Sequence, residues 1–258
     1  MIYQKVIFSF GRGISRFLNE TFPLAERFEP EDGLIEAYLY KNWESVKDGE
    51  TINEDDPGLI HVDMRPFIID DVLFVPTKAR EKGLSRLSYM KDAKLTIGVG
   101  HFGQYRLAKN HPGFALVPES AYLAVELENY GSQTFPNKKM QEILYSAIVK
   151  KINDIRTGKI VTVTSPTREY ETIHQDAIGQ DMETGIYFRR AKGWRISAGG
   201  LLIASDGGED IFRHYDLRRL DGIVESNKVL SEYTDPRCAE PSRHAFLTVL
   251  DVAKQINL

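Results

Sequence analysis

The stretch TGIYFRRAKGWRISA, residues 184–198, decides the fold class. Aromatic and β-branched side chains recur on either side of Ala191-Lys192-Gly193, a turn whose glycine is free to take positive φ. The stretch therefore reads as a β-hairpin. A second hairpin signal follows, because residues 201–205 and 210–217 flank Asp206-Gly207-Gly208-Glu209. Two hairpins in succession place antiparallel pairing in the C-terminal third of the chain.

Upstream, Met140, Ile143, Leu144, Ala147, Ile148, Ile152 and Ile155 form one apolar stripe, so the spacing predicts a helix over 138–156. Asn137 is placed to cap its start and Gly158 its end. Residues 159–164 are β-branched and read as a strand closed by Pro166. Downstream, Ser242 is read as the cap of a helix carrying Ala245, Phe246, Val249, Leu250, Ala253 and Ile256 on one side.

Toward the N-terminus, residues 2–10 read as a strand broken by Gly11-Arg12-Gly13, and 14–21 as a short helix. Ile35, Tyr38, Leu39 and Trp43 fit helical spacing over 34–43. Strands are expected at 59–65, 67–75, 94–99 and 122–128, with Pro66 marking an edge or bend. Residues 46–58 are acidic and polar and read as a surface loop; 101–120 read as a long ordered loop. Strands and helices do not alternate regularly. The expected class is α+β: a mixed, largely antiparallel sheet, two or three packed helices, and β-hairpins in the C-terminal third. One domain over 1–258 is expected, with residues 184–235 as a hairpin lobe, because no Pro/Gly/Ser-rich linker divides the chain.

Composition narrows the function classes. With 42% apolar and 27% charged residues, the 258-residue chain can bury a large core. Its single Cys238 lies in a turn-rich segment without an evident base, forms no intramolecular disulfide and reads as unreactive. No run approaches 18 apolar residues, so no membrane helix is expected, and the opening residues lack a secretory pattern. The expected location is the cytoplasm, or a particle assembled there. A net charge of −4 argues against a wholesale polyanion binder.

Three constellations could carry chemistry. His61-Val62-Asp63, His174-Gln175-Asp176 and His214-Tyr215-Asp216 share the spacing His-x-Asp, whereas six histidines and 17 aspartates predict about half of one match by chance. On a strand, i and i+2 side chains share a face, so His61, Asp63, His174, Asp176, His214 and Asp216 are candidate metal ligands. Of these, His61, Asp63, His214 and Asp216 are also candidate catalytic groups. A divalent metal is implied only under that reading. The glycine turn after the first strand offers free N–H groups, with Arg12 and Arg16 as candidate phosphate contacts. Arg189, Arg190 and Arg195, interleaved with aromatics, are candidate phosphate or nucleic-acid contacts. Each has an ordinary alternative: solvated surface pairs, a tight structural turn, and an ion-pair network with the neighbouring acids.

No complete catalytic motif is present, and mixed charge on exposed hairpins suits β-augmentation. The leading expectation is therefore a structural or interaction subunit of a larger assembly, of virion or phage-tail type, with protein partners or copies of itself. The first alternative is a metal-dependent hydrolase or nuclease acting on a phosphodiester through the His-x-Asp pairs. The second is a nucleic-acid-binding module.

Overall fold

Residues 5–10, KVIFSF, form strand β1 (Lys5–Phe10), which is buried at every position. A strand with one solvated face alternates; a strand inside a parallel sheet does not. In the computed structural model the described residues are 3–40, 59–77, 85–104, 112–126, 129–163, 176–205 and 236–256. After β1 come α1 (Arg12–Thr21), β2 (Glu36–Tyr40), β3 (Leu59–Asp63), β4 (Phe67–Ile69), β5 (Val72–Thr77) and a 3-10 turn (Ser85–Met90). Then follow β6 (Leu95–Gln104), β7 (Ala115–Glu126), β8 (Asn129–Thr134), α2 (Lys138–Ile148), β9 (Ile155–Val163), β10 (Ala177–Asp181), α3 (Thr184–Gly193), β11 (Ser197–Ala204) and α4 (Pro236–Gln255).

β1 pairs in parallel with β5 on one side and β6 on the other, and β6 in turn pairs in parallel with β11. The nine-stranded sheet runs β10-β9-β7-β11-β6-β1-β5-β4, with β8 on β7. β10 also pairs with β6, through Gly179↔Gln104 and Gln180↔Gly103, so β6, β11, β7, β9 and β10 close into a barrel. Parallel pairs dominate the middle of the sheet. That corrects the expected largely antiparallel arrangement; the mixed sheet with a few packed helices stands.

Side chains alternate between two apolar layers. Ile7, Phe74, Ile97 and Leu201 face α1, α2 and α4 through Ile14, Leu18, Leu144, Phe246 and Val249. Val6, Phe8, Val75 and Leu202 face the 3-10 turn and α3 through Leu87, Met90, Tyr187 and Phe188. Each fully buried Leu, Ile or Phe here contributes about 1.5–3 kcal/mol. A separate antiparallel pair, β2 with β3, has its own small cluster of Ala37, Val62 and Met64.

Several expectations are corrected. Residues 184–193 are a helix, not a hairpin arm: Tyr187, Phe188 and Ala191 are buried on one side, and the positive φ that ends the turn falls on Arg195 (58°) rather than Gly193. Residues 36–40 are strand β2, because ladder pairing with β3 overrides a weak helical spacing. The predicted loop 101–120 contains the ends of β6 and β7. Asn137 does cap α2, its side chain accepting the Met140 N–H, but the helix ends at Ile148 and Gly158 lies inside β9. Ser242 sits within α4, not at its start. The second predicted hairpin beyond Ser205 and the acidic loop 46–58 lie outside the described residues. Among the described residues no helix is long and apolar enough to cross a membrane.

Candidate active site

The parallel strands β1, β5, β6 and β11 end on one side of the sheet, at Phe10, Thr77, Gln104 and Ala204. Ligands of such sheets bind beyond the carboxyl ends of the strands, so this mouth is the place to look. At its β1 edge the chain turns through Gly11 (φ 82°) into α1, and the Gly11 N–H donates to the Thr77 carbonyl at 3.2 Å. The Ser15 hydroxyl donates to the Gly11 carbonyl at 2.8 Å and lies 2.9 Å from the Ser9 hydroxyl, while Thr77 Oγ1 donates to the Ser9 carbonyl at 2.9 Å. These bonds hold the turn rigidly against the sheet.

His101, near the end of β6, has Nε2 2.8 Å from Ser242 Oγ on α4. Burial, reinforced by the Arg16 cation, lowers its pKa to about 4, so the imidazole is neutral at physiological pH. The Arg16 guanidinium carbon lies 4.7 Å over the Phe17 ring, and its buried Nε has no hydrogen-bond partner among the described residues. A guanidinium with an unused donor beside a neutral histidine is suited to an anion.

The other side of the mouth is built by β10 and α3. Gln180 lies opposite Gly103, so the antiparallel direction carries the chain past Asp181 back toward Phe102 and His101. Asp181 Oδ1 accepts from Thr162 Oγ1 at 2.6 Å, and its Oδ2 accepts the Thr184 N–H at 3.0 Å and the Thr184 hydroxyl. Burial raises its pKa to about 6 against these hydrogen bonds. Glu183 is buried too, its Oε2 accepting the Met182 N–H at 3.2 Å. Tyr187, one turn or about 6 Å further along α3, packs its ring 5.4 Å from that of Phe10, the residue before the Gly11 turn. This aromatic contact ties α3 to β1.

Asp181 has a consequence for stability. Its folded pKa lies above the ordinary carboxylate value, so the native state binds the proton more tightly and loses stability as pH rises from about 4 to about 6. The loss is about 3 kcal/mol. Urea unfolding of wild type and Asp181→Asn at pH 4.5 and 6.5 checks this: the variant gains on the wild type at the higher pH. A constant difference between them would contradict the assignment.

Neither a family model nor a curated protein matches the sequence. Solved structures do match its fold. The 5′-methylthioadenosine/S-adenosyl homocysteine nucleosidase of Campylobacter jejuni superposes with a TM-score of 0.63 at 12% identity, over 98% of this chain and 100% of that one. The AMP nucleosidase of Bacteroides thetaiotaomicron gives 0.61 at 15% identity, over 98% and 90%. The purine nucleoside phosphorylase of Toxoplasma gondii, in complex with immucillin-H, gives 0.58 at 14% identity, over 98% and 90%.

The chain shares the fold of these proteins.

That finding corrects the expected virion or phage-tail type subunit and the structural role that went with it: the fold shared with these nucleosidases spans almost the whole chain, and the hairpin on which the assembly reading rested is absent from 184–198. The neighbours named here are nucleosidases and a phosphorylase, and none is a metal-dependent nuclease or a nucleic-acid-binding module, the two alternatives.

Within this fold the sequence candidates scatter. His61 and Asp63 lie on β3 of the small sheet, apart from the mouth strands. His61 Nε2 pairs with Glu36 at 3.1 Å. Asp63 binds Arg65 through both oxygens, at 3.1 and 2.9 Å, and Arg27 at 3.3 Å; although burial pushes its pKa up, these cations hold it below the usual carboxylate range. His174, His214 and Asp216 lie outside the described residues. Asp176 is exposed, 3.5 Å from Lys159. Among the described residues no three His, Cys, Asp or Glu side chains gather as a metal site. Arg12 and Arg16 both belong to α1 at the mouth, whereas Arg189, Arg190 and Arg195 are exposed on and just after the second half of α3.

Sequence reasoning misses Asp181, Glu183 and Thr162. The available signal is Asp181-x-x-Thr184, a helix-start pattern. It is hidden by the strand-like composition of the residues that follow.

Proposed function

We propose that this chain cleaves the N-glycosidic bond of a purine nucleoside or nucleotide. The observation that carries the proposal is Glu183, a buried carboxylate at the start of α3, two residues beyond the strand β10 that pairs with the end of β6, the strand that bears His101. Cleavage of a glycosidic bond passes through a sugar with oxocarbenium character, which a fixed carboxylate stabilises while it also accepts sugar hydroxyls. Glu183 supplies that group. Arg16 and the neutral His101 would hold an attacking water or phosphate, and Arg12 and Arg16 are our candidate phosphate contacts. The names of the structural neighbours agree: two are nucleosidases and one a purine nucleoside phosphorylase. The leaving base also needs a proton. Asp206, outside the described residues, follows Ser205 in the chain and is the first carboxyl to test for it.

The test is a panel of adenosine, inosine, guanosine, 5′-methylthioadenosine and AMP, incubated with the purified chain with and without inorganic phosphate. Free base is then measured by chromatography. The proposal expects base from at least one substrate, and dependence on phosphate distinguishes phosphorolysis from hydrolysis. No base from any member under either condition would overturn it.

A further inference from the structure

The first turn of α3 is held by Asp181 at the end of β10, which runs straight into it, and by β9 and β8, which lie far earlier in the chain. A helix start leaves its first N–H groups without partners. Here two in succession are taken by buried side chains: Asp181 Oδ2 accepts the Thr184 N–H at 3.0 Å, and Thr162 Oγ1 on β9 accepts the Gly185 N–H at 2.7 Å. The same Thr162 hydroxyl donates to Asp181 at 2.6 Å, so one oxygen closes the circuit in both directions. Thr134 on β8 adds a hydrogen bond to the Gly185 carbonyl at 3.3 Å. Thr162, Asp181, Glu183 and Thr184 are all buried.

Asp181 is an expensive way to start a helix. A serine or asparagine caps as well without burying a charge. Among the described residues the groups hydrogen-bonded to its carboxyl are hydroxyls and a backbone N–H, with no arginine or lysine among them. Buried charge retained without a cation marks a place where geometry outweighs stability. What this geometry sets is the direction of the residue between Asp181 and Thr184 that bears a carboxylate.

We propose that Asp181 and Thr162 are positioning residues for Glu183: their clasp on the first turn of α3 holds the Glu183 carboxylate at the angle at which it meets the sugar. This rests on the reading of Glu183 in the proposed reaction and adds to it the two residues on which that carboxylate depends. Thr162 is the cleaner one to test, because valine keeps its shape and removes the hydroxyl, while serine keeps the hydroxyl.

The experiment uses the full chain as wild type, T162V, T162S, E183Q and T162V/E183Q, with the best substrate of the panel and free adenine as a base-only ligand. T162V should lower kcat 10- to 30-fold with adenine Kd within 2-fold of wild type, and T162S should stay within 3-fold of wild type. On the E183Q background T162V should cost less than 3-fold, because the group it positions is already gone. Equal losses on both backgrounds, T162S as poor as T162V, or adenine binding lost in parallel would each overturn the proposal. Amide exchange separates the clasp from the chemistry: Gly185 should exchange at least 10-fold faster in T162V. An unchanged Gly185 amide in an active enzyme overturns the clasp alone. A wild type that cleaves no nucleoside overturns the reading of Glu183, and the positioning role with it, whatever the exchange shows.

Discussion

Arg86→Met is expected to lower the stability of the chain by about 3–5 kcal/mol, a loss large enough to unfold a marginal domain. Arg86 lies in the 3-10 turn and is 1% exposed. Its Nε and Nη2 bind both oxygens of Asp32, at 2.7 and 2.8 Å, and its remaining N–H groups go to the carbonyls of Met64, Pro76 (2.6 Å) and Leu34. One guanidinium thus ties the segment before β2, the end of β3 and the end of β5 together. Methionine fills much of the volume but leaves a carboxylate and three carbonyls without their donor, and it is the unmade bonds that cost most. For Asp32, burial pushes the pKa up and Arg86 more than offsets it, so the pair stabilises the fold at neutral pH and is lost on acidification. Arg86→Lys should recover little, since an ammonium cannot reproduce the planar fork. Urea unfolding at pH 7 measures both; a loss under 1 kcal/mol for Arg86→Met would show that the network is not needed.

Gly179→Ala is expected to open the barrel. At Gly179 the backbone of β10 crosses that of β6 so closely that a Cβ would collide with the Gly103 carbonyl oxygen and meet the Phe102 ring at 2.8 and 3.0 Å. The clash is with backbone, which cannot rotate away. Among the described residues the seam it disturbs is held by the Gly179↔Gln104 and Gln180↔Gly103 pairs. The expected cost is about 3 kcal/mol. Amide exchange at the seam should accelerate well before global unfolding, and base release should fall with it. Stability and exchange equal to wild type would mean that β10 is free to stand off from β6.

What the sequence shows depends on how local its cause is. The strand at β1, the Gly11 turn, the Asn137 cap and the β-branched run of β9 are set within a few residues, and each is legible in its own short window. Residues 184–193 are not: they form a helix because Thr162, 23 residues before Gly185, and Asp181 satisfy its first N–H groups. No window centred on the segment contains Thr162. Strand direction is hidden for a related reason, since KVIFSF is equally consistent with parallel and antiparallel partners until β5 and β6 are known. At the site, Gly11 and Arg16 are legible as a turn with cations, whereas Glu183 is distinguished only by burial, which is a property of the whole fold. The His-x-Asp pattern has the opposite fault: it is visible in sequence, but Asp63 is occupied by Arg65 and Arg27.

The most direct test of the central claim is base release by wild type and Glu183→Gln, purified identically and assayed at enzyme excess. The account predicts equal amounts of free purine and sugar product from the wild type, and at least a 100-fold slower rate from the variant, corresponding to about 3 kcal/mol of lost transition-state stabilisation. Equal rates from the two proteins, or no base from either, would contradict it.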